Sequence, residues 1–209
     1  AYLTKKIRAA LIREGLPECK IVVSNSLDEY IIRDIISQGA EIDAFGVGER
    51  LITAKSDPVF GGVYKLVATE KNGVIEPKIK ISENPGKITN PHYKKVYRIY
   101  DNDSGKAIAD LLCVYDETID EAKPLEIFDP QNTWKRKTIT NYHLRELLVP
   151  VFQNGECVYT SPSAADIRSY CAAQTDKLWD EVKRFENPHA YYVDLSKKLW
   201  DIKQEMLRK

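Results

Sequence analysis

The stretch from Val22 to Leu51 constrains the fold of this chain more than any other part of it. It begins within the apolar run Ile21-Val22-Val23, which is typical of a strand buried on both faces of a parallel sheet. A second short strand is predicted at 42–45, just before the glycine turn 46–49. The residues between the strands predict a helix, because their apolar side chains are spaced for one buried face: Leu27, Ile31, Ile32, Ile35 and Ile36. This order of elements indicates a parallel α/β unit.

Polar or glycine-rich turns follow both predicted strands. Ser24-Asn25-Ser26 follows the first strand, and Ser26 is also placed to cap the helix. Gly46-Val47-Gly48-Glu49 follows the second strand. Both turns lie at the C-terminal ends of parallel strands, where this architecture places ligands, and glycines let backbone amides approach a phosphate closely. A phosphate site and an ordinary tight turn both remain open on this pattern alone.

The remaining segments change in character along the chain. A helix is predicted from Tyr2 to Glu14, before the α/β unit. Three antiparallel hairpins are predicted after it, at 61–81, 93–115 and 147–160, because Asn-Gly or Ser-Gly turns separate extended runs. The segment 117–130 is acidic and predicts a surface connection. The C-terminal part predicts two helices, one starting at the capping box Ser163-Ala164-Ala165-Asp166 and running to Phe185, the other carrying its apolar face at Leu195, Leu199, Ile202 and Met206.

Composition excludes several classes of protein. Among the 209 residues, Lys+Arg and Asp+Glu are equal at 31 each, so the net charge gives no argument for binding nucleic acid or a membrane. No apolar run approaches the roughly 20 residues needed to span a bilayer. The four cysteines form no C-x-x-C pair, which argues against a metal site and a disulfide framework. We therefore expect a cytoplasmic protein with reduced thiols.

Four motifs and a tail, in this order, give the chain a specific resemblance. The motifs SNSLDEYI, AFGVGERL, GGVYKLV and SENPGKITNPHYKKVYR, followed by the tail ENPHAYYVDLSKKLWDIK, resemble the second part of the nicotinate phosphoribosyltransferases. The resemblance implies the last strands of a phosphoribosyltransferase-type α/β barrel, followed by an antiparallel β-rich segment and C-terminal helices. The implied domain bounds are 1–58 for the barrel part with its phosphate-binding turns, 59–160 for the β-rich segment and 161–209 for the helices.

The resemblance also implies a reaction and a site. Such enzymes form nicotinate mononucleotide and pyrophosphate from nicotinate and phosphoribosyl pyrophosphate, with ATP and Mg²⁺ as co-substrate and metal, typically as homodimers. The matching phosphoribosyl and phosphate positions are Ser24, Asn25, Ser26, Gly46, Gly48 and Glu49, and Lys65 and Lys87 match basic positions near the pyrophosphate. Many members carry Thr where this chain has Glu49, so the backbone of that residue is the expected phosphate contact. The family's phosphorylated histidine lies upstream, and none of His92, His143 and His189 matches its motif.

Two alternatives to a nicotinate enzyme remain open from sequence. One is a related phosphoribosyltransferase that uses nicotinamide or quinolinate, since the residues that choose the base lie upstream. The other is a non-catalytic scaffold or subunit that pairs with a separate chain. In either case two parallel strands make too small a sheet to be stable, so we expect the missing strands to come from an upstream half or a partner. We expect residues 1–209 alone to be inactive.

Overall fold

The computed structural model describes residues 1–59 and 61–208, which divide into two compact units, Ala1–Val63 and Tyr64–Lys209. It is a mixed α/β structure with several small sheets and few helices, as the sequence predicts at that level. Its two described strands of parallel α/β type do not form a closed barrel. Within the described ranges, no helix has the length and apolar character that crossing a bilayer requires.

The first unit contains a parallel strand pair between three helices. Its elements are α1 (Tyr2–Arg13), β1 (Val22–Ser24), α2 (Glu29–Ser37), β2 (Ala44–Gly46) and α3 (Glu49–Ile52). The strands β1 and β2 are parallel, with Ser24 opposite Gly46 at their C-terminal ends. The predicted parallel α/β unit is therefore confirmed.

A single arginine ties α1 to the start of this strand pair. The Arg8 guanidinium donates to the carbonyl oxygens of Pro17 and Cys19 at 3.1 and 2.7 Å, and to the Asp43 carboxylate at 2.5 Å. Asp43 also accepts a hydrogen bond from the Ile21 amide at 2.7 Å. This amide and Arg8 lower the pKa of Asp43, although partial burial opposes them. The contacts fix where β1 and β2 start.

Three local predictions for this unit are wrong. The cap of α2 is Asp28, whose Oδ1 accepts from the Ile31 amide at 2.9 Å, and not Ser26. The first strand is not buried on both faces, because Val22 is 64% exposed. Ile31 and Ile36, on the predicted buried face of α2, are also exposed.

The second unit is built mainly of antiparallel strands. Its elements are β3 (Ala68–Lys71), β4 (Val74–Pro77), a 3-10 turn (Pro85–Lys87), β5 (Lys94–Asp101), β6 (Ala107–Val114), β7 (Leu125–Phe128), β8 (Arg136–Ile139), β9 (Tyr142–Glu146), β10 (Phe152–Gln153), β11 (Glu156–Cys157), α4 (Ala164–Thr175), β12 (Tyr192–Leu195) and α5 (Lys197–Leu207). The three predicted hairpins are confirmed as β3–β4, β5–β6 and β10–β11, although the first and third are shorter than predicted.

The core of the second unit lies against a four-stranded sheet in the order β12-β6-β5-β9. β12 runs parallel to β6, and the other neighbours are antiparallel. One apolar cluster of buried side chains covers β5 and β6: Ile99, Ala109, Leu111, Cys113, Ile127, Ile139 and Tyr142. A second cluster joins Val114, Leu195 and Leu199, and so fastens α5 to the sheet.

The sequence predictions fail in three places in this unit. The segment 117–130 is not only a surface connection, because it contains β7 with Ile127 and Phe128 buried. The helix that starts at Ser163 has its predicted capping box but ends at Thr175, and every residue from 164 to 173 is exposed. Leu195 belongs to β12 and not to the last helix, which begins after Ser196.

Candidate functional site

The ends of β1 and β2 bring the two predicted phosphate turns together. Because Ser24 pairs with Gly46 in register, the residues that follow each strand lie side by side. They line one cavity of about 420 Å³. Its lining contains all six predicted residues of the first unit and three more: Ser24, Asn25, Ser26, Gly46, Gly48 and Glu49, with Leu27, Arg50 and Lys55.

The first turn has an uncommon backbone. Asn25 and Ser26 both have positive φ angles, +89° and +51°, in the left-handed region that non-glycine residues rarely adopt. Asn tolerates this region better than most residues, whereas Ser does not share that advantage to the same degree. Strained backbone of this kind is found disproportionately at ligand-binding turns. The turn also carries Ser26 away from the α2 cap position that Asp28 takes.

The two glycines of the second turn face different surroundings. A Cβ added to Gly46 would lie 3.2 Å from the Cβ of Ser24, so glycine is what lets the two strand ends approach. A Cβ added to Gly48 would meet no atom within 4 Å. Gly48 lines the cavity, so the space beside it is available to a ligand. The first glycine serves packing, and the second leaves the cavity open.

The cations at this cavity differ in their partners. The Arg50 guanidinium pairs with Asp28, the residue that caps α2. Among the described residues, the side chain of Lys55 has no hydrogen bond or ion pair, and neither has that of Glu49. Lys55 is thus a positive charge at the cavity that no acid neutralises by contact. No sequence pattern pointed to Lys55, because it lies beyond α3 and only the folded chain brings it to the cavity.

Lys65 and Lys87, the two predicted pyrophosphate ligands, lie in the second unit. Lys65 is exposed and lies in a segment without regular structure, so its predicted place on a strand is wrong: β3 begins only at Ala68. Lys87 is the last residue of the 3-10 turn and is also exposed. Their role near pyrophosphate stays a prediction.

Lys94 and Arg98, two further basic residues of the second unit, make structural contacts. The Lys94 ammonium donates to the carbonyl oxygens of Asn90, Pro91 and His92 at 2.8, 3.3 and 2.6 Å. Arg98 holds Asp110 with two hydrogen bonds of 2.8 Å.

Other titratable groups of the second unit also make structural contacts. Tyr191 donates to Asp110 at 2.9 Å, and burial raises the pKa of this tyrosine. Burial raises the pKa of the Cys113 thiol to about 12, which leaves it protonated and unreactive at neutral pH.

Two histidines of the second unit make hydrogen bonds within it. His143 shares a 2.7 Å hydrogen bond between Nδ1 and Asn102 Oδ1, and the His189 amide donates to Glu181. In the ranges 1–59 and 61–208, no group of three or more His, Cys, Asp or Glu residues could hold a metal ion.

A family model matches the chain over residues 93–203, and its description is the nicotinate phosphoribosyltransferase C-terminal domain. Several curated relatives carry the name nicotinate phosphoribosyltransferase, and two of them illustrate the match. The protein from Bacillus subtilis (strain 168) is 41% identical over 99% of this chain, and the human protein is 30% identical over 94% of it.

A solved structure agrees with these matches. The crystal structure of human nicotinic acid phosphoribosyltransferase superposes with a TM-score of 0.69 and 25% identity, covering 98% of this chain. The chain spans 42% of the Bacillus subtilis relative and 37% of the chain in that crystal structure. The two curated relatives and the solved structure each match most of this chain, and each of these proteins is more than twice as long as the chain.

Proposed function

We propose, from the premise that this chain belongs to the nicotinate phosphoribosyltransferase family, that its protein forms nicotinate mononucleotide and pyrophosphate from nicotinate and phosphoribosyl pyrophosphate. The observation that carries the proposal is that one cavity at the ends of β1 and β2 is lined by both polar turns. Parallel strands place ligands at this edge of the sheet.

The first unit contributes the last two strands of an α/β barrel in this proposal. Val22 of β1 is 64% exposed, and Ile36 of α2 is 56% exposed. Side chains of this type need an apolar cover, which the upstream half of the protein supplies. A homodimer in the cytoplasm and coupling to ATP hydrolysis complete the proposal.

The two turns contact different parts of phosphoribosyl pyrophosphate. The backbone amides of Gly46 to Glu49 hold the 5′-phosphate, and the Ser24 to Ser26 turn contacts the ribose and phosphate. Glu49 contributes its amide, while its carboxylate is kept from the phosphate because like charges repel. Holding both phosphate ends in place stabilises the departing pyrophosphate and orients the ribose carbon toward nicotinate. Lys65 and Lys87 are proposed as pyrophosphate contacts.

Lys55 joins this set as a phosphate contact. It lines the cavity, and Arg50, the other cation there, is already paired with Asp28. A lysine is a compact charge that suits phosphate oxygens. Lys55 also offsets the negative charge that Glu49 brings to the turn. Mg²⁺ usually binds through substrate phosphates and one or two carboxylates. The proposed roles of these residues are direct phosphate contacts and involve no metal site.

The reaction is tested on the whole protein with nicotinate, phosphoribosyl pyrophosphate and MgATP, by chromatography of the products. We expect nicotinate mononucleotide and pyrophosphate, and a higher yield with ATP than without it. Product from nicotinamide or quinolinate instead of nicotinate would contradict the proposal. Residues 1–209 alone should give no product, and addition of the upstream half should restore it.

The site is tested by Lys55→Met. We expect the KM for phosphoribosyl pyrophosphate to rise by about tenfold, the loss of one charge-assisted hydrogen bond, while the KM for nicotinate stays constant. Lys55→Arg should retain most of the affinity. The control is Lys20→Met, because Lys20 is exposed, pairs with Asp43 and lies outside the cavity. Equal kinetics for Lys55→Met and the control would show that Lys55 does not contact the phosphate.

A further inference from the structure

A second cavity, in the second unit, lies between the β7–β8 hairpin and β12. Its volume is about 360 Å³, within the range of small-molecule pockets. Three apolar or aromatic side chains line it, together with two carboxylates and three cations: Ile127, Phe128 and Tyr192, with Asp129, Asp194, Lys135, Arg136 and Lys137.

Asp194 is the unusual group in this cavity. It is only 4% exposed, and among the described residues its carboxylate has no hydrogen bond and no ion pair. Side chains alternate along a strand, so Asp194 shares a face of β12 with Tyr192, which also lines the cavity. Leu195 points to the opposite face and packs in the α5 cluster. No fully buried side-chain oxygen of the described residues lacks a partner, so the Asp194 oxygens keep a small accessible surface at the cavity. A carboxylate with so little water and no partner is costly.

The other charges of the cavity have opposite charges beside them. Lys135 lies 3.9 Å from Asp129, and Arg136 pairs with Glu126 at 2.8 Å. Lys137 interacts with Asp101 electrostatically. Asp129 is further satisfied by three donors, the amides of Gln131 and Asn132 and the side chain of Asn132. The pairing leaves Asp194 as the unmatched charge of this lining.

We propose that this cavity binds a small organic cation, a primary ammonium or guanidinium group on a short apolar body, whose N–H donors bond to Asp194. The apolar body would pack on Ile127 and on the rings of Phe128 and Tyr192, and aromatic faces also attract cations. A divalent metal fits less well, because the lining offers only two carboxylates and Asp129 is already bonded. This site is independent of nicotinate mononucleotide formation.

The affinity of this cavity for a cation should fall as the pH is lowered. Burial and the neighbouring Asp129 raise the pKa of Asp194 to about 6. The charged groups around it are Asp129 just after β7, Lys135 just before β8, and Arg136 and Lys137 on β8. β6 presents Leu111 at the paired position. A cation needs the ionised carboxylate, so affinity should be full above pH 7 and fall as the pH drops through about 6.

The test is isothermal titration calorimetry of the whole protein with n-butylammonium and n-butylguanidinium at pH 7.5. We expect saturable binding of at least one probe, weakened about tenfold or more by Asp194→Asn, since the loss is that of a charged hydrogen bond. Asp116→Asn is the matched control, because Asp116 is exposed and pairs with Lys198 outside the cavity. Removing a buried charge should not impair folding, and the thermal midpoint of Asp194→Asn checks this.

Several results would overturn the inference. They are the absence of binding by both probes, equal binding of neutral n-butanol, equal affinity of Asp194→Asn and wild type, or binding of Mg²⁺ alone. None of these outcomes bears on nicotinate mononucleotide formation, which is measured separately.

Discussion

The two glycines of the second turn allow folding and ligand binding to be separated within one site. A Cβ at Gly46 would stand 3.2 Å from the Cβ of Ser24, which is closer than nine in ten real contacts of this kind. Ser24 must therefore shift by a few tenths of an ångström in Gly46→Ala, and we expect this overpacking to cost about 1 kcal/mol or more. A Cβ at Gly48 meets no protein atom within 4 Å, so Gly48→Ala and Gly48→Val create no such collision.

Ligand affinity, unlike stability, should be sensitive to substitutions at Gly48. Side-chain carbons at Gly48 fill the space through which a phosphate approaches the backbone amides. The loss of one or more hydrogen bonds to a charged phosphate is worth about 1.5–3 kcal/mol, or roughly 10- to 100-fold in affinity. We expect Gly48→Ala to weaken phosphoribosyl pyrophosphate binding, and Gly48→Val to weaken it further.

The assays are the KM for phosphoribosyl pyrophosphate and the urea midpoint of the whole protein, measured on the three variants in parallel. Gly46→Ala should lower the midpoint, whereas the Gly48 variants should raise the KM with little change in the midpoint. Unchanged KM in Gly48→Val would refute the phosphate assignment of the turn. A normal midpoint in Gly46→Ala would show that the strand ends do not need the close approach described for them.

Three further predictions concern the second unit. Lys65→Ala in the whole enzyme should lower kcat/KM by about tenfold without changing the thermal midpoint. The control is Lys71→Ala, because Lys71 is also exposed, and equal kinetics for the two variants would show that Lys65 has no role in the site. Arg98→Lys should lower the free energy of unfolding by about 1–3 kcal/mol in urea titrations, because lysine cannot make the two parallel bonds to Asp110; an unchanged midpoint would contradict that role. The pKa of Asp194 is raised from 3.8 to about 6 on folding, so the wild type loses stability as the pH rises between these values. Asp194→Asn should match the wild type near pH 4 and exceed it at pH 7.5, by less than the full shift would give because water at the cavity screens the charge. A gap that does not widen with pH would count against a buried carboxylate.

Sequence patterns correctly predicted the elements that are determined by residues close together in the chain. Asn72 and Gly73 take φ angles of +53° and +76°, the pair of positive values that an Asn-Gly hairpin turn requires. The Ser163 capping box also forms as predicted, since its two hydrogen bonds lie within four residues. The parallel pair β1–β2 follows from the apolar runs and the helix between them.

Predictions failed where distant contacts decide the structure. Leu195 fits the helical spacing of Leu199 and Ile202, but pairing with Leu112 of β6 makes it a strand residue. At the site, the turns were predictable because each one follows its own strand. The position of Lys55 at the cavity was not predictable, because no local sequence pattern indicates that a lysine after α3 lies beside the turn after β1. Asp28 replaced Ser26 as helix cap for the related reason that Ser26 takes a left-handed backbone.

The position of β12 determines when the second unit can be completed during synthesis. Tyr191, at the entrance to β12, bonds to Asp110 across 81 residues of chain, and Leu195 reaches the α5 cluster only when the last helix has formed. Long-range pairing of this kind forms late and slowly. Until β12 arrives, β6 presents an open edge beside the most apolar part of the sheet, and such edges template association between chains. A nascent or truncated chain that ends before residue 192 is therefore expected to be aggregation-prone, and to need chaperones until β12 and α5 have been synthesised.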